Sequence, residues 1–190
     1  MFTIRASLAL VALALAAASS AQLITNGNFE TDAYPTNGVV QLSKLTGWSI
    51  LSTGDIAGCG AGYFGQTSQE IDLSGFGDGA GSGIFQTFAT VPNAKYTLSL
   101  DVFTGTNVGS VKVMVGSDVL SPGLAGTVLT NSTFTFTAAS QSTTLTLTNT
   151  GGSVSQVDNV SVTPVNPAPE PSALAALGLG AMAVLRRRKR

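Results

Sequence analysis

The feature that most constrains this chain is a period of two in its apolar residues. From Lys95 to Phe103, tyrosine, leucine, leucine and valine occupy every second position and polar residues stand between them. This period is typical of a β-strand with one buried face. The same alternation recurs at Val111 to Val115, around Phe134 and Phe136, around Leu145 and Leu147, and at Val160 and Val162. Between Gln22 and Pro171 no segment keeps a helical period, so the sequence predicts an all-β domain there.

Turn signals separate these segments. They are Asn26-Gly27, Asn37-Gly38, Pro92-Asn93, Pro122-Gly123 and Gly151-Gly152. Such pairs favour tight turns, and the serines and threonines on the outward positions suit strands that face water. About eight or nine strands follow, which fits a two-sheet jelly-roll β-sandwich. The glycine-rich stretch from Gly54 to Gly83 predicts long loops around one short strand, Gln69 to Leu73.

The N-terminus has the pattern of a secretion signal. Arg5 precedes an apolar run from Ala6 to Ala18, and small residues follow up to Ala21. This order predicts a helical signal peptide over residues 1–21 with cleavage after Ala21 by the export machinery. The run is shorter than the roughly 20 residues of a standard membrane span.

The C-terminus carries a second apolar segment. Four prolines between positions 164 and 171 predict an extended linker over residues 164–171. An uncharged run from Ser172 to Leu185 follows, and five basic residues close the chain. We expect a short hydrophobic helix and basic tail over residues 172–190, with the basic cluster on the cytoplasmic side. Residues 22–163 are then long enough for one β-sandwich domain.

Three ordered elements of this end resemble the PEP-CTERM sorting signal. They are Pro169-Glu170-Pro171, the apolar segment, and the cluster that begins with Arg186, Arg187 and Arg188. The resemblance covers the last 22 residues or so and implies recognition by an exosortase, a membrane-embedded, cysteine transpeptidase-like enzyme of Gram-negative bacteria that make exopolysaccharide. It implies transient anchoring in the inner membrane and delivery to the cell surface, outer membrane or extracellular matrix. The same tail is also classified as an ice-binding protein C-terminal domain, a label that concerns the tail alone.

Charge is distributed unevenly along the chain. Lys44, Lys95 and Lys112 are the only basic residues between positions 22 and 163, whereas nine of the ten acids lie there, for a formal charge of about −6. A nucleic acid is excluded as a partner because phosphate binding needs a basic face. An acidic surface suits an extracellular protein that stays soluble or binds cations.

The chain contains no histidine. This excludes the serine–histidine–acid triad, cysteine–histidine catalysis and histidine-ligated zinc. Paired carboxylates remain, and Glu30, Glu70, Asp72 and Asp101 are candidates. Solvated carboxylates explain these residues better, so we expect no enzyme and keep a weak glycan hydrolase as an alternative.

Cys59 is the single cysteine and cannot form an internal disulfide. Its surroundings, Gly58 to Gly62, predict a flexible loop. The thiol is then either incidental or the site of an intermolecular bridge.

Both ends of the β domain resemble a known class of sandwich. The stretch from Leu23 to Glu30, followed by Gly47-Trp48, resembles the opening of carbohydrate-binding-module-like jelly rolls of the galactose-binding type, including DUF642-like secreted proteins. The strand Gln156 to Val162 resembles the end of such domains. The resemblance implies that the N-terminal turn and the last strand lie side by side.

The resemblance further implies a structural calcium ion between these two segments. Glu30 and Asp158 would supply carboxylates, and Asn28 with nearby carbonyls would help, because calcium takes six to eight oxygens in loose geometry. The alternative is that Asn28 and Glu30 only shape a turn and that Asp158 faces water.

The resemblance also implies binding of extracellular polysaccharide, which needs exposed aromatic side chains. Tyr63 and Phe64 in the glycine-rich loop are the better candidates, and Trp48 is the third. A core position is the stronger interpretation of Trp48. The expected function is therefore a non-catalytic, exported surface or matrix protein that binds polysaccharide. A purely structural surface protein without a sugar site is the main alternative.

Overall fold

The computed structural model describes residues 22–51, 55–77, 80–106 and 109–165. The predicted signal peptide, most of the proline-rich linker and the predicted sorting helix lie outside these residues. The described residues form two antiparallel β-sheets and one short 3-10 turn, Tyr63–Gly65, which confirms the all-β prediction. Within them, no helix is long and apolar enough to cross a membrane.

Eleven strands make up the two sheets of the described residues. They are β1 (Val39–Gln41), β2 (Ser49–Ile50), β3 (Ala57–Cys59), β4 (Glu70–Asp72), β5 (Gly83–Ala89), β6 (Lys95–Phe103), β7 (Val111–Val115), β8 (Asp118–Leu124), β9 (Thr130–Thr137), β10 (Ser142–Asn149) and β11 (Gln156–Pro164). The six-stranded sheet has the order β1-β3-β4-β11-β6-β9. The five-stranded sheet has the order β2-β5-β10-β7-β8.

The core lies between the two sheets and follows the period of two. In β6, Leu98 and Leu100 are fully buried, and Leu145 and Leu147 of β10 face them from the other sheet with no exposed surface. Each such side chain contributes about 1.5–3 kcal/mol relative to an exposed one. Alternation in sequence therefore becomes the two-layer packing of a sandwich.

The loop predicted from Gly58 to Gly62 is wrong for its first two residues, because strand β3 includes Gly58 and ends at the buried Cys59; residues 61–62 form a turn. The strand Ala57–Cys59 pairs with β1 on one side and with β4 on the other. A β-carbon on Gly58 would lie 2.5 Å from the ring of Tyr34, so the absent side chain leaves room for that ring. The glycines of this segment serve close packing rather than loop flexibility.

The turn predicted at Pro122-Gly123 is also wrong. Both residues lie inside β8, which is an edge strand of the five-stranded sheet. Proline is tolerated there because an edge strand has one side without a hydrogen-bonded neighbour. The register between β7 and β8 shifts near this point.

The N-terminal segment and the last strand lie side by side, as the resemblance implied. Leu23 N donates to Val162 O over 3.0 Å, and Val160 N donates to Gly27 O over 2.8 Å. The amide of Gln22 bonds the same strand twice, from Nε2 to Val160 O over 3.2 Å and from Val162 N to Oε1 over 2.8 Å. The start and the end of the domain are therefore joined by a row of hydrogen bonds.

Candidate functional site

The outer face of the six-stranded sheet carries acidic, amide and aromatic side chains. In β6, Asp101 and Phe103 alternate with buried core residues, so both point to this face. The ladder places Asp158 of β11 opposite Asp101, and Gln156 opposite Phe103. Aromatic and acidic groups thus share one surface.

An aromatic cluster, defined as Tyr63, Phe64 and Phe103, lies at one end of this face. The rings of Tyr63 and Phe64 meet edge to face with centroids 4.6 Å apart, and the rings of Phe64 and Phe103 are 6.0 Å apart. Phe64 remains 47% exposed. Its backbone φ is 51°, in the left-handed region, where a bulky side chain is an outlier.

A polar network, defined as Ser99, Asp101, Asn131 and Asn159, continues the face beyond Phe103. Asn131 Nδ2 donates to Asp101 Oδ1 over 2.7 Å, and Asn159 Nδ2 donates to Asp101 Oδ2 over 2.8 Å. Asn131 also bonds Ser99, and both asparagines are exposed. The network presents amide and carboxylate groups in fixed orientations at the surface.

Asp158 is fully buried beside this network. Its Oδ2 accepts a hydrogen bond from Ser68 Oγ over 2.8 Å, and its Oδ1 accepts one from the backbone N of Asn159 over 2.6 Å. The pKa of Asp158 is raised to about 6, mainly by burial and also by the charges of Asp101 and Glu30, while these two hydrogen bonds oppose the rise. Asp158 is therefore a buried acid that titrates near neutral pH.

Glu70 and Asp72 of β4 point to the same outer face but have different surroundings. Asp72 Oδ1 accepts bonds from Ser74 Oγ, Ser74 N and Ser155 N over 2.7, 2.9 and 3.0 Å. Glu70 is 1% exposed, and neither of its carboxyl oxygens has a hydrogen-bond partner among the described residues. Burial, followed by the charge of Asp158, raises the pKa of Glu70 to about 8. A buried polar group without a partner is costly and calls for an explanation.

The three residues predicted to bind calcium are Asn28 and Glu30 in the N-terminal turn and Asp158 in the last strand. Glu30 accepts hydrogen bonds from Gln69 N over 2.8 Å and from Gln69 Nε2 over 3.0 Å, next to the Ser68 that bonds Asp158. Asn28 Oδ1 accepts a long bond of 3.5 Å from Glu30 N. Within the described residues, no three cysteine, aspartate or glutamate side chains converge as a metal-binding group. The carboxylates of Glu30 and Asp158 thus accept hydrogen bonds from two residues that are adjacent in sequence, Gln69 and Ser68.

A cavity of about 310 Å³ opens between the N-terminal turn and the last strand. Asn26 and Asn28 line it from the turn, and Asn159 and Ser161 line it from β11. Amide and hydroxyl oxygens are suitable ligands for a hard cation such as calcium. Asn28 is the predicted calcium ligand that lines this cavity, whereas Glu30 and Asp158 are not among its lining residues.

Trp48, the third residue predicted to contact a ligand, lies in the core. It is 7% exposed, its ring lies 5.7 Å from that of Phe29, and its Nε1 donates to Asn26 O over 3.1 Å. This position matches the core interpretation of Trp48.

The structure adds residues to the site that the sequence analysis did not select. Phe103, Asn131 and Asn159 come from three strands that are distant in sequence and adjacent in the sheet. One signal for Phe103 was present, because the outward positions of β6 are polar from Lys95 to Asp101 and then end on a phenylalanine. The asparagines carry no comparable signal, since asparagine is common at strand ends.

The fold is that of carbohydrate-binding β-sandwich modules. Family 16 Carbohydrate Binding Module-2 superposes with a TM-score of 0.51 at 20% identity, over 74% of this chain and 99% of that chain. TmCBM61 in complex with β-1,4-galactotriose gives 0.51 at 13% identity, over 76% and 99%. The arabinose-bound α-L-arabinofuranosidase MgGH51 gives 0.53 at 15% identity, over 76% of this chain and 26% of that enzyme. At these identities the likeness concerns the fold.

The C-terminal tail is similar to a known sorting signal. Residues 167–190 match the PEP-CTERM protein-sorting motif, which confirms the resemblance noted in the sequence. The motif indicates an exported protein and implies processing by an exosortase. No curated protein sequence matches the chain.

Proposed function

We propose that this protein binds polysaccharide on the outer face of its six-stranded sheet after export to the cell surface or extracellular matrix. The aromatic cluster would stack against sugar rings, and the polar network beside it would bond their hydroxyl groups. Pockets for such ligands combine aromatic walls with a few oriented polar groups. The fold, which carbohydrate-binding modules share, agrees with this assignment.

The conformation of Phe64 is the observation that carries the proposal. A phenylalanine at φ 51° is strained, and such strain persists at ligand-binding sites when the surroundings hold it in place. Here the rings of Tyr63 and Phe103 hold it, yet nearly half of the side chain stays exposed. A residue that served only the core would have no reason to keep this surface open.

Replacement of Phe64 tests the site. Phe64→Ala should lower affinity for the producer's own polysaccharide at least tenfold, which corresponds to about 1.4 kcal/mol. Phe76→Ala is the matched control, because Phe76 is also an exposed loop phenylalanine, at 61%, and lies outside the aromatic cluster. Equal affinities of the two variants would refute the site, and no binding by the wild-type chain would favour a purely structural surface protein.

Processing of the tail is the second part of the proposal. We infer that an exosortase cleaves near Pro169-Glu170-Pro171 and that the mature domain reaches the surface or matrix of a Gram-negative-type bacterium. Mass spectrometry of protein recovered from the surface and the medium should find a C-terminus close to Pro169. An intact Arg190 in the membrane fraction, with no shorter form elsewhere, would overturn processing.

We also propose that calcium stabilises the junction of the N-terminal turn and the last strand, held by Glu30, Asp158 and Asn28. Glu30 and Asp158 accept hydrogen bonds from Gln69 and Ser68, and Asn28 lines the oxygen-rich cavity together with Asn159, the residue after Asp158. The carboxyl group of Glu70 has no hydrogen-bond partner among the described residues, and the charge of Asp158 raises its pKa. A cation in this region would neutralise these acidic groups. Calcium would supply charge neutralisation there and would not take part in chemistry.

Thermal unfolding tests the calcium proposal. The unfolding midpoint of the wild-type chain should fall when a chelator removes calcium, since a ligand that binds only the folded state stabilises it. Asp158→Asn should lose this response, whereas Asp118→Asn, in the exposed part of β8, should keep it. An unchanged wild-type midpoint in the chelator would refute calcium binding.

A further inference from the structure

Four strands form the edges of the two sheets in the described part of the chain, and three of them are poor templates for another strand. β1 has three residues and β2 has two. β8 contains Pro122 and pairs with β7 in a shifted register. Short length, proline and irregular register are the usual protections of a sheet edge.

β9 is the fourth edge and has none of these protections. It spans eight residues, contains no proline and pairs with β6 in an unbroken register from Lys95↔Thr137 to Val102↔Thr130. A long, regular edge of this kind is a template for strand addition.

The free hydrogen-bonding groups of β9 can be assigned from the ladder. Just beyond the strand, Ala138 N donates to Ala94 O over 3.0 Å, so Ala138 faces β6. Because successive residues of a strand face opposite sides, Thr133, Thr135 and Thr137 direct their N–H and C=O groups away from β6. All three threonines are exposed.

The charge pattern favours a second copy of this chain as the occupant of the edge. No charged residue lies between Asp118 and Asp158, although the domain as a whole is acidic. Two β9 edges can therefore meet without like charges opposing each other along the strands. Val128, two residues before β9, is 68% exposed and extends this uncharged edge.

The strand is also complementary to itself. In an antiparallel pair centred on Phe134, Thr133 of one copy lies opposite Thr135 of the other. Every residue from Asn131 to Thr137 whose backbone N–H and C=O groups point away from β6 then has a partner in the second copy. Phe134, which is half-buried at the rim of the core, then lies opposite Phe134 of the second copy. Cross-strand aromatic pairs stabilise such ladders.

We propose that two copies of this protein associate through β9, antiparallel and centred on Phe134, so that their six-stranded sheets become continuous. The association uses the backbone edge of β9, which carries Asn131 of the polar network, and leaves the aromatic cluster uncovered. Sorting of many copies to one surface would raise their local concentration and favour the pair.

Three forms of the full chain, purified in mild detergent, test this proposal by sedimentation velocity. The wild type should dimerise in a concentration-dependent manner. Thr135→Lys, which places two positive charges close to the symmetry axis, should lower the association constant at least tenfold. The double variant Thr133→Glu with Thr135→Lys should restore it, because the carboxylate introduced at position 133 of each copy would then face the ammonium group introduced at position 135 of the other.

Thr146→Lys is the matched control, because Thr146 also points outward from a regular strand but lies in the interior of the five-stranded sheet. It should associate like the wild type, and circular dichroism should show that all variants fold. Hydrogen exchange at the amide of Thr135 should slow with increasing protein concentration. A monomeric wild type, equal association of Thr135→Lys and Thr146→Lys, or binding of a foreign extended peptide by a chain that stays monomeric would overturn the proposal.

Discussion

Ser68 Oγ donates a hydrogen bond to the buried Asp158 Oδ2 over 2.8 Å. The bond joins the glycine-rich loop, which carries Tyr63 and Phe64, to the last strand of the domain. The aromatic cluster is therefore held over the sheet by a partly buried hydrogen bond as well as by ring packing. This contact connects the region of the proposed calcium ion with the proposed sugar site.

Loss of this hydroxyl group should weaken the loop. Ser68→Ala removes one donor from Asp158, and we expect a loss of about 1–2 kcal/mol in the free energy of unfolding, measured by urea denaturation. Ser153→Ala, at an exposed serine, is the control and should change stability by less than about 0.5 kcal/mol. Equal effects of the two substitutions would show that the bond to Asp158 contributes nothing.

Glu70 should make stability depend on pH in calcium-free protein. Its pKa rises from 4.5 to about 8 in the folded state, where Cys59, Asp72, Asp101 and Asp158 are the ionisable groups around it. Between these values the folded state keeps a proton that the unfolded state has released. Its contribution to stability is therefore complete below pH 4.5 and is lost as the pH rises towards 8.

Glu70→Gln should flatten this dependence, because an amide imitates the protonated acid. At pH 8 the variant should exceed the wild type by about 2 kcal/mol, since the wild type then carries a buried charge without a hydrogen-bond partner. Unfolding midpoints at pH 5, 6.5 and 8 in the presence of a chelator measure the effect. A wild-type midpoint that rises from pH 5 to pH 8 would contradict it.

Trp48 should affect stability but not sugar binding. Trp48→Phe removes the bond from Nε1 to Asn26 O and leaves a small gap beside Phe29, for a loss of about 1–3 kcal/mol. Polysaccharide affinity at a temperature where the variant is folded should equal that of the wild type. Reduced affinity with unchanged stability would instead place Trp48 in the ligand site.

Cys59 should be unreactive in the folded protein. Burial, followed by the charge of Asp72, raises the pKa of its thiol to about 12, and the thiolate is the reactive form. A thiol reagent should label the native chain far more slowly than the chain in denaturant, and a non-reducing gel should show no disulfide-linked dimer. Fast native labelling would mean that β3 opens readily.

Sequence patterns predicted the fold where strands are long and alternate. β6, β7, β9, β10 and β11 are all recognisable in this way, because one face of each strand is buried by the opposite sheet. β1, β2 and β3 were missed, since two or three residues cannot display a period. The segment at Cys59 was predicted as a loop because glycine is common in loops. Here the absence of a side chain at Gly58 leaves room for the ring of Tyr34.

The candidate site was predictable only in part. Tyr63 and Phe64 stood out as aromatics in a glycine-rich loop, and Glu30 and Asp158 followed from a resemblance at the two ends. Phe103, Asn131 and Glu70 depend on which strands become neighbours, and the order β4-β11-β6-β9 brings together segments more than 80 residues apart. Pairing over such distances is set by the whole core and is invisible in any local window.

The hydrogen bonds between the N-terminal segment and the last strand also bear on when the domain can fold during export. With the signal peptide predicted to end at Ala21, Gln22 and Leu23 would leave the membrane first, whereas their partners Val160 and Val162 lie far along the chain, 138 and 140 residues later for the two bonds of the Gln22 side-chain amide. A β-carbon at Gly27 would lie 1.9 Å from Val160 O, so this junction closes only around a glycine. On this predicted route, nearly the whole domain would have to cross before the sandwich could close, and closure would come just as the sorting segment arrives.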